Sequence, residues 1–204
     1  MNLSAEQLRH FLASRRSVRR FRSPSVAPEV LRRILESAIL APSAHNRQPW
    51  RFVVVEEERT RRRLAEAMGG RFLEDLRRDG LAADEAERRV ERSRERLLTA
   101  PALIVICLTM AEMDVYPDEQ RRRAEHTMAV QSAALAAGHL LLAAHAEGLG
   151  SCWMCAPLFV PEILRAVLSL PEDWEPQGMI ALGVPEIIPP DPGRRPPDEV
   201  TLWR

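Results

Sequence analysis

The chain has 204 residues, 46% of them apolar, enough for one domain with a substantial core and short for two. Its 29 basic residues balance 29 acidic ones, so bulk charge gives no reason to expect a nucleic-acid partner, and three cysteines are too few for a disulfide framework. Every basic residue is Arg and none is Lys, which excludes a lysine Schiff base and a phosphate-loop lysine.

Ser4, with Gln7 three residues on, reads as a capping box, and Leu8, Phe11 and Leu12 mark one face of a short helix behind it. An arginine-rich stretch, Arg15 to Phe21, follows. Pro28 fits the first position of a second helix with an apolar stripe through Leu31, Ile34, Leu35, Ala38 and Ile39, which Pro42 stops. Residues 51–56 predict a strand and 60–68 a helix. Residues 83–98 predict a charged helix that lies on the surface or covers a site. Residues 102–108 are continuously apolar, as in a strand buried on both faces. The longest helix is expected over 124–147, central, buried, and suited to a subunit interface, with Gly148 closing it. A short strand at 151–154, a helix at 161–168 and a last strand at 179–184 complete the pattern. Beyond Pro185 the proline-rich segment 186–204 reads as an extended C-terminal arm over another surface. Strands alternating with helices give an α+β or α/β class, read as one domain over 1–204. No continuous apolar run reaches the roughly 18 residues of a membrane span. The start shows no basic stretch followed by an apolar one, so a cytoplasmic protein is expected.

Three segments stand out chemically. Arg15, Arg16, Ser17 and Arg19 put guanidinium groups and a hydroxyl on one turn, which suits a phosphate; a solvated basic surface or a nucleic-acid patch fits the same spacing. Residues 42–50, Pro-Ser-Ala-His-Asn-Arg-Gln-Pro-Trp, form a polar loop between helix and strand, readable as a functional loop or as ordinary turn chemistry. Gly148-Leu149-Gly150-Ser151-Cys152-Trp153 begins like a dinucleotide fingerprint but carries Trp at the sixth position and follows a helix, so it does not read as a Rossmann site. Cys152 and Cys155 could form a redox dithiol or, less readily, half a zinc site, although two small residues beside a cofactor explain them as well. The histidines show no metal-ligand spacing, no metal is expected, and neither a zinc-protease motif nor a nucleophile elbow appears. The adjacent Glu125 and His126 suit either a catalytic pair or a local structural hydrogen bond.

Together, Arg-Arg-Ser-Val-Arg after a first helix, Pro-Ser-x-x-Asn-x-Gln-Pro-Trp before a strand, and Gly-Leu-Gly-Ser-Cys-Trp after a long helix resemble the nitroreductase family over about residues 8–195. The resemblance implies a nitroreductase-like α+β (α/β three-layer) fold. A central mixed sheet would be flanked by helices in a domain-entwined homodimer holding FMN at its interface. It assigns Arg15, Arg16, Ser17, Val18 and Arg19 to the FMN phosphate and ribityl chain, Ser43 of the partner subunit to the flavin, and Cys155 to the neighbourhood of the ring. Arg194 or Arg195 would close on the phosphate from the tail.

A narrower resemblance is to the reductase domain of FbiB-type bifunctional coenzyme F-420 biosynthesis proteins. It rests on Asp79-Gly80-Leu81, Ala83-Asp84, Glu87-Arg88-Arg89-Val90, Tyr116-Pro117-Asp118, Ala124-Glu125-His126-Thr127-Met128 and Asp173-Trp174-Glu175-Pro176. It implies reduction of the enolpyruvyl double bond of dehydro-F-420-0 by hydride from reduced FMN, with Asp75 contacting the deazaflavin substrate and no catalytic side chain required. The alternatives are a general NAD(P)H-dependent nitroreductase or quinone reductase, and a non-catalytic flavin or deazaflavin carrier.

Overall fold

The computed structural model describes residues 3–204. Its centre is one antiparallel sheet in the order β1-β2-β4-β3. The strands are β1 (Trp50–Val55), β2 (Ala102–Leu108), β3 (Gly150–Met154) and β4 (Glu175–Gly183). β2 lies inside the sheet and is buried along its whole length, as its continuous apolar run implies. Its alternate residues serve two cores. Ala102, Ile104, Ile106 and Leu108 face one side, against α2 (Pro28–Ala38) and α5 (Glu119–Ala146). Leu103, Val105 and Cys107 face the other, against α3 (Glu58–Arg78), the end of α4 (Ala83–Thr99) and α6 (Pro161–Leu168). The result is the expected three-layer α+β arrangement. The four strands pair antiparallel throughout, and among the described residues parallel pairing shrinks to one isolated bridge, Ser17 to Ser151, so the sheet is less mixed than expected.

α1 (Ala5–Ser14) carries the expected capping box: the Gln7 amide donates to Ser4 Oγ at 3.1 Å and the Ser4 amide to Gln7 Oε1 at 2.9 Å. None of its residues is buried. α3 runs past its expected end at Met68, through Gly69 and Gly70, because Leu73 and Leu76 continue its apolar face onto Ala86 and Val90 of α4. α5 begins earlier than its apolar pattern, where Asp118 caps it by accepting from the Arg121 amide at 2.9 Å. α5 is long and apolar enough by length and composition to cross a membrane. One face, Ala129, Ala133, Ala136, Ala137, Leu140 and Ala144, is committed to the core, while Leu135 on the other is half exposed, so the helix is less evenly buried than expected. β4 starts four residues before the expected Met179. The tail follows as extended chain with one short turn of helix, α7 (Pro197–Val200).

Candidate functional site

The arginine segment is fixed by backbone pairing. After α1, Arg15 is extended, the Val18 amide donates to the Ser151 carbonyl at 3.0 Å, and the Arg22 amide donates to the Val184 carbonyl at 2.9 Å. Two motifs that lie some 130 residues apart in the chain are thus joined edge to edge. Gly150 permits it: a Cβ there would stand 2.7 Å from the Cβ of Val18. Val18 is buried with its amide spent on Ser151, so its part is to anchor the segment. Arg16 turns Nη1 onto the carbonyls of Ala13 and Arg15, and Arg19 Nη1 donates to the Ser17 carbonyl at 3.2 Å.

Two partly or wholly buried groups sense these arginines. Burial, together with the charges of Arg15 and Arg16, holds His145 below its ordinary value. Burial pushes the Cys152 thiol up against the opposing charges of Arg19, Arg96 and Arg15. Arg96, on α4, acts on Cys152 in the same sense as Arg19 and Arg15. No sequence signal separated it from the other arginines of a solvated helix.

From Ser151 β3 runs to Met154, roughly 10 Å further along extended chain, and Cys155 follows it. There a cavity of about 400 Å³ opens between α3 and the turn after β3. Its walls include Met68, Phe72, Leu76 and Phe159, with Cys155 and Asp75 among its lining residues, so two expected site residues meet in it. Asp75 is held from one side by Arg71 Nε, which donates to both carboxylate oxygens at 3.1 and 3.2 Å, and by Arg78 at 3.3 Å. Cys152 is buried and Cys155 exposed, and Cys155 Sγ accepts from the Trp153 indole N–H at 2.9 Å. A larger open groove, about 580 Å³, runs along α2 and the free edge of β1, and none of the expected site residues lines it.

Ser43 lies elsewhere. Trp50, Leu108 and Glu175 form one end of the sheet, with β1 at its edge; Ser151, beside Leu182, marks the other end at the β3 edge. The Ser43 loop leads into Trp50, so one chain does not bring it to Arg15–Arg19. The loop is strained: His45, Asn46 and Gln48 have φ of 49°, 55° and 52°. Left-handed backbone costs about 1–2 kcal/mol at such residues and collects at functional sites. The loop is held by the Gln48 amide on Ser43 Oγ at 3.1 Å, the Ala44 amide on Ser132 Oγ at 3.2 Å, and an Arg47–Asp114 ion pair. On the tail, Arg194 and Arg195 are exposed, and Arg194 folds its guanidinium onto the Gly193 carbonyl.

A family model described as the Nitroreductase family matches residues 12–184. The chain belongs to the nitroreductase family. A relative from Thermus thermophilus named NADH dehydrogenase is 35% identical over 93% of this chain and 92% of its own. Among solved structures, a putative nitroreductase from Desulfovibrio desulfuricans in complex with FMN has a TM-score of 0.74 at 25% identity, covering 98% of both chains. A BluB-like flavoprotein from Clostridium difficile has a TM-score of 0.76 at 24% identity, covering 97% of this chain and 98% of its own. As a nitroreductase-family member the protein is an oxidoreductase.

In this chain the Glu125–His126 pair does not form. Glu125 points into the core, where one oxygen accepts the Asp114 amide at 3.1 Å and the other has no partner among the described residues. His126 Nε2 instead meets Glu175 Oε2 at 3.0 Å, and Gln177 Nε2 donates to the other Glu175 oxygen at 2.9 Å. Burial raises the Glu175 carboxyl, and the hydrogen bonds from His126 and Gln177 outweigh it, leaving it below its usual value.

Proposed function

We propose that this nitroreductase-family protein is an FMN-dependent oxidoreductase, a homodimer that passes electrons from NAD(P)H to a flat, uncharged acceptor of the nitroaromatic or quinone kind. One observation carries the reading: the Ser17–Ser151 bridge fastens the arginine segment to the strand that ends at the Cys155 cavity. A phosphate site and an apolar acceptor site therefore stand at two ends of one rigid element.

The donor set fits FMN. Arg15, Arg16, Arg19 and the Ser17 hydroxyl would hold the phosphate, with Arg96 adding positive potential, because guanidinium forks match phosphate oxygens. Ser43 of the partner subunit would complete the flavin site, consistent with its place across the sheet in its own chain, and Arg194 or Arg195 would approach from the tail. When bound, FMN supplies the hydride chemistry. The protein's side chains do the rest. The walls at Met68, Phe72 and Phe159 desolvate a planar acceptor. Asp75, preset by Arg71, would accept a hydrogen bond from an N–H or O–H substituent of the acceptor, since nitro and quinone oxygens can only accept. Asp75 and Asp79 at the same cavity disfavour an acceptor that carries its own phosphate.

The test is steady-state turnover of the purified protein with NADPH and nitrofurazone, after its visible spectrum. A yellow dimer that turns over supports the reading. A colourless monomer that takes up no added FMN sinks it.

A second reading, reduction of dehydro-F-420-0, has one specific observation in its favour. Two of the stretches that carry that resemblance, 124–128 and 173–176, meet in space through His126 and Glu175. Faster reduction of dehydro-F-420-0 than of nitrofurazone would select it.

A further inference from the structure

The tail carries its own anion to the arginine segment. It leaves β4 paired with the segment, the Glu186 amide donating to the Arg20 carbonyl at 3.1 Å, and returns so that Asp191 Oδ2 lies 3.3 Å from Arg16 Nη2. The turn presents the carboxylate in a set pose. Pro190 and Pro192 flank it, Gly193 takes a φ of +74°, and its amide donates to Asp191 Oδ1 at 3.0 Å. Arg16 is largely buried, and its Nη1 is spent on the Ala13 and Arg15 carbonyls. Of its two terminal nitrogens, Nη2 is the one paired with Asp191.

We propose that Asp191 is a resident counter-ion of the cofactor-phosphate site, and so a specificity residue that sets how strongly the protein favours FMN over unphosphorylated riboflavin. This rests on the assignment of Arg16 to the phosphate made above. A phosphate that takes Arg16 Nη2 meets a carboxylate already there, and two anions on one guanidinium nitrogen repel. FMN must displace the Asp191 contact, whereas riboflavin, lacking the phosphate, binds without disturbing it. The carboxylate also keeps the arginine cluster from standing uncompensated while the cofactor is away.

The test is titration of the flavin-stripped full-length protein with FMN and with riboflavin, read by quenching of flavin fluorescence, in wild type, Asp191→Asn and Asp191→Glu. Asn keeps the oxygen that Gly193 needs and removes the charge. Asp191→Asn is expected to tighten FMN about fivefold, in line with a half-exposed ion pair, and to leave riboflavin unchanged. Asp191→Glu is expected to stay near wild type for both. Weaker or unaltered FMN binding in Asp191→Asn, or an equal shift for both flavins, overturns the role of Asp191 alone. A wild-type protein that binds FMN no better than riboflavin overturns the phosphate assignment, and the counter-ion with it.

Discussion

A methyl group at Gly150 would lie 2.7 Å from the Cβ of Val18, so Gly150→Ala forces β3 or the arginine segment to move. Overpacking of this kind costs about 1–3 kcal/mol. The variant is expected to melt earlier and to retain less FMN, measured as the flavin-to-protein ratio after gel filtration; an unchanged ratio would show that this contact does not position the arginines. The cysteines give a second test at the same scale. Burial raises Cys107 to about 12 and pushes Cys152 up, while Cys155 is exposed on the cavity. Only the thiolate attacks a maleimide, and a raised value means the thiol form persists at pH 8. Brief labelling should therefore modify Cys155 alone in the native protein and all three cysteines in denaturant, as read by mass spectrometry. Labelling of Cys152 in the folded state would contradict its burial.

Among the elements, α1 shows how a pattern can be legible while its docking is not. Its capping box and its apolar face at Leu8, Phe11 and Leu12 stand in the sequence, and the helix forms where they place it. Its attachment, however, runs through His145 at the far end of α5, which packs tilted against Phe11 with ring centroids 4.9 Å apart and meets Ser14 Oγ at 2.8 Å. Burial first, then Arg15 and Arg16, lowers the His145 value below 6.5, so the unfolded chain binds the proton more tightly than the folded one. That contribution to stability is complete above about pH 6.5 and is lost as pH falls through that value toward the lower folded one. The melting temperature is expected to fall from pH 7 to pH 5, and to fall less in His145→Gln; equal slopes would remove His145 as the cause. β2, α6 and the start of α2 were legible because periodicity and proline placement fix them locally. The second half of α3 and the first turn of α5 were not. Gly69–Gly70 and the charged run 119–123 are helical through contacts with α4 and through the Asp118 cap, which a local pattern does not register.

For the whole molecule, the site was legible as segments but not as a place. Arg15–Arg19, the Ser43 loop and Gly148–Trp153 were each visible, yet only the sheet order shows that the first and third are neighbours and the second stands at the opposite end and edge. Arg96 and Asp191 had no signal at all, since one arginine in a charged helix and one Asp in a proline-rich tail look like many others. If a second copy supplies Ser43, assembly and cofactor retention are a single property. The surface suits a second copy: no residue of α1 is fully buried, Leu8 and Leu12 are 43% and 45% exposed, and Leu202 and Trp203 in the tail stand 82% and 85% exposed. Apolar groups left open in this way mark contact surfaces. Replacing Leu8 and Leu12 together by Glu places two carboxylates on that face without touching a core residue of the single chain. The variant is expected to keep its helical circular dichroism, to elute as a monomer in light scattering, and to lose its FMN along with its partner. A folded monomer that stays yellow would mean that the arginine segment, Cys155 and the tail hold the cofactor within one chain, and that Ser43 of the partner subunit takes no part.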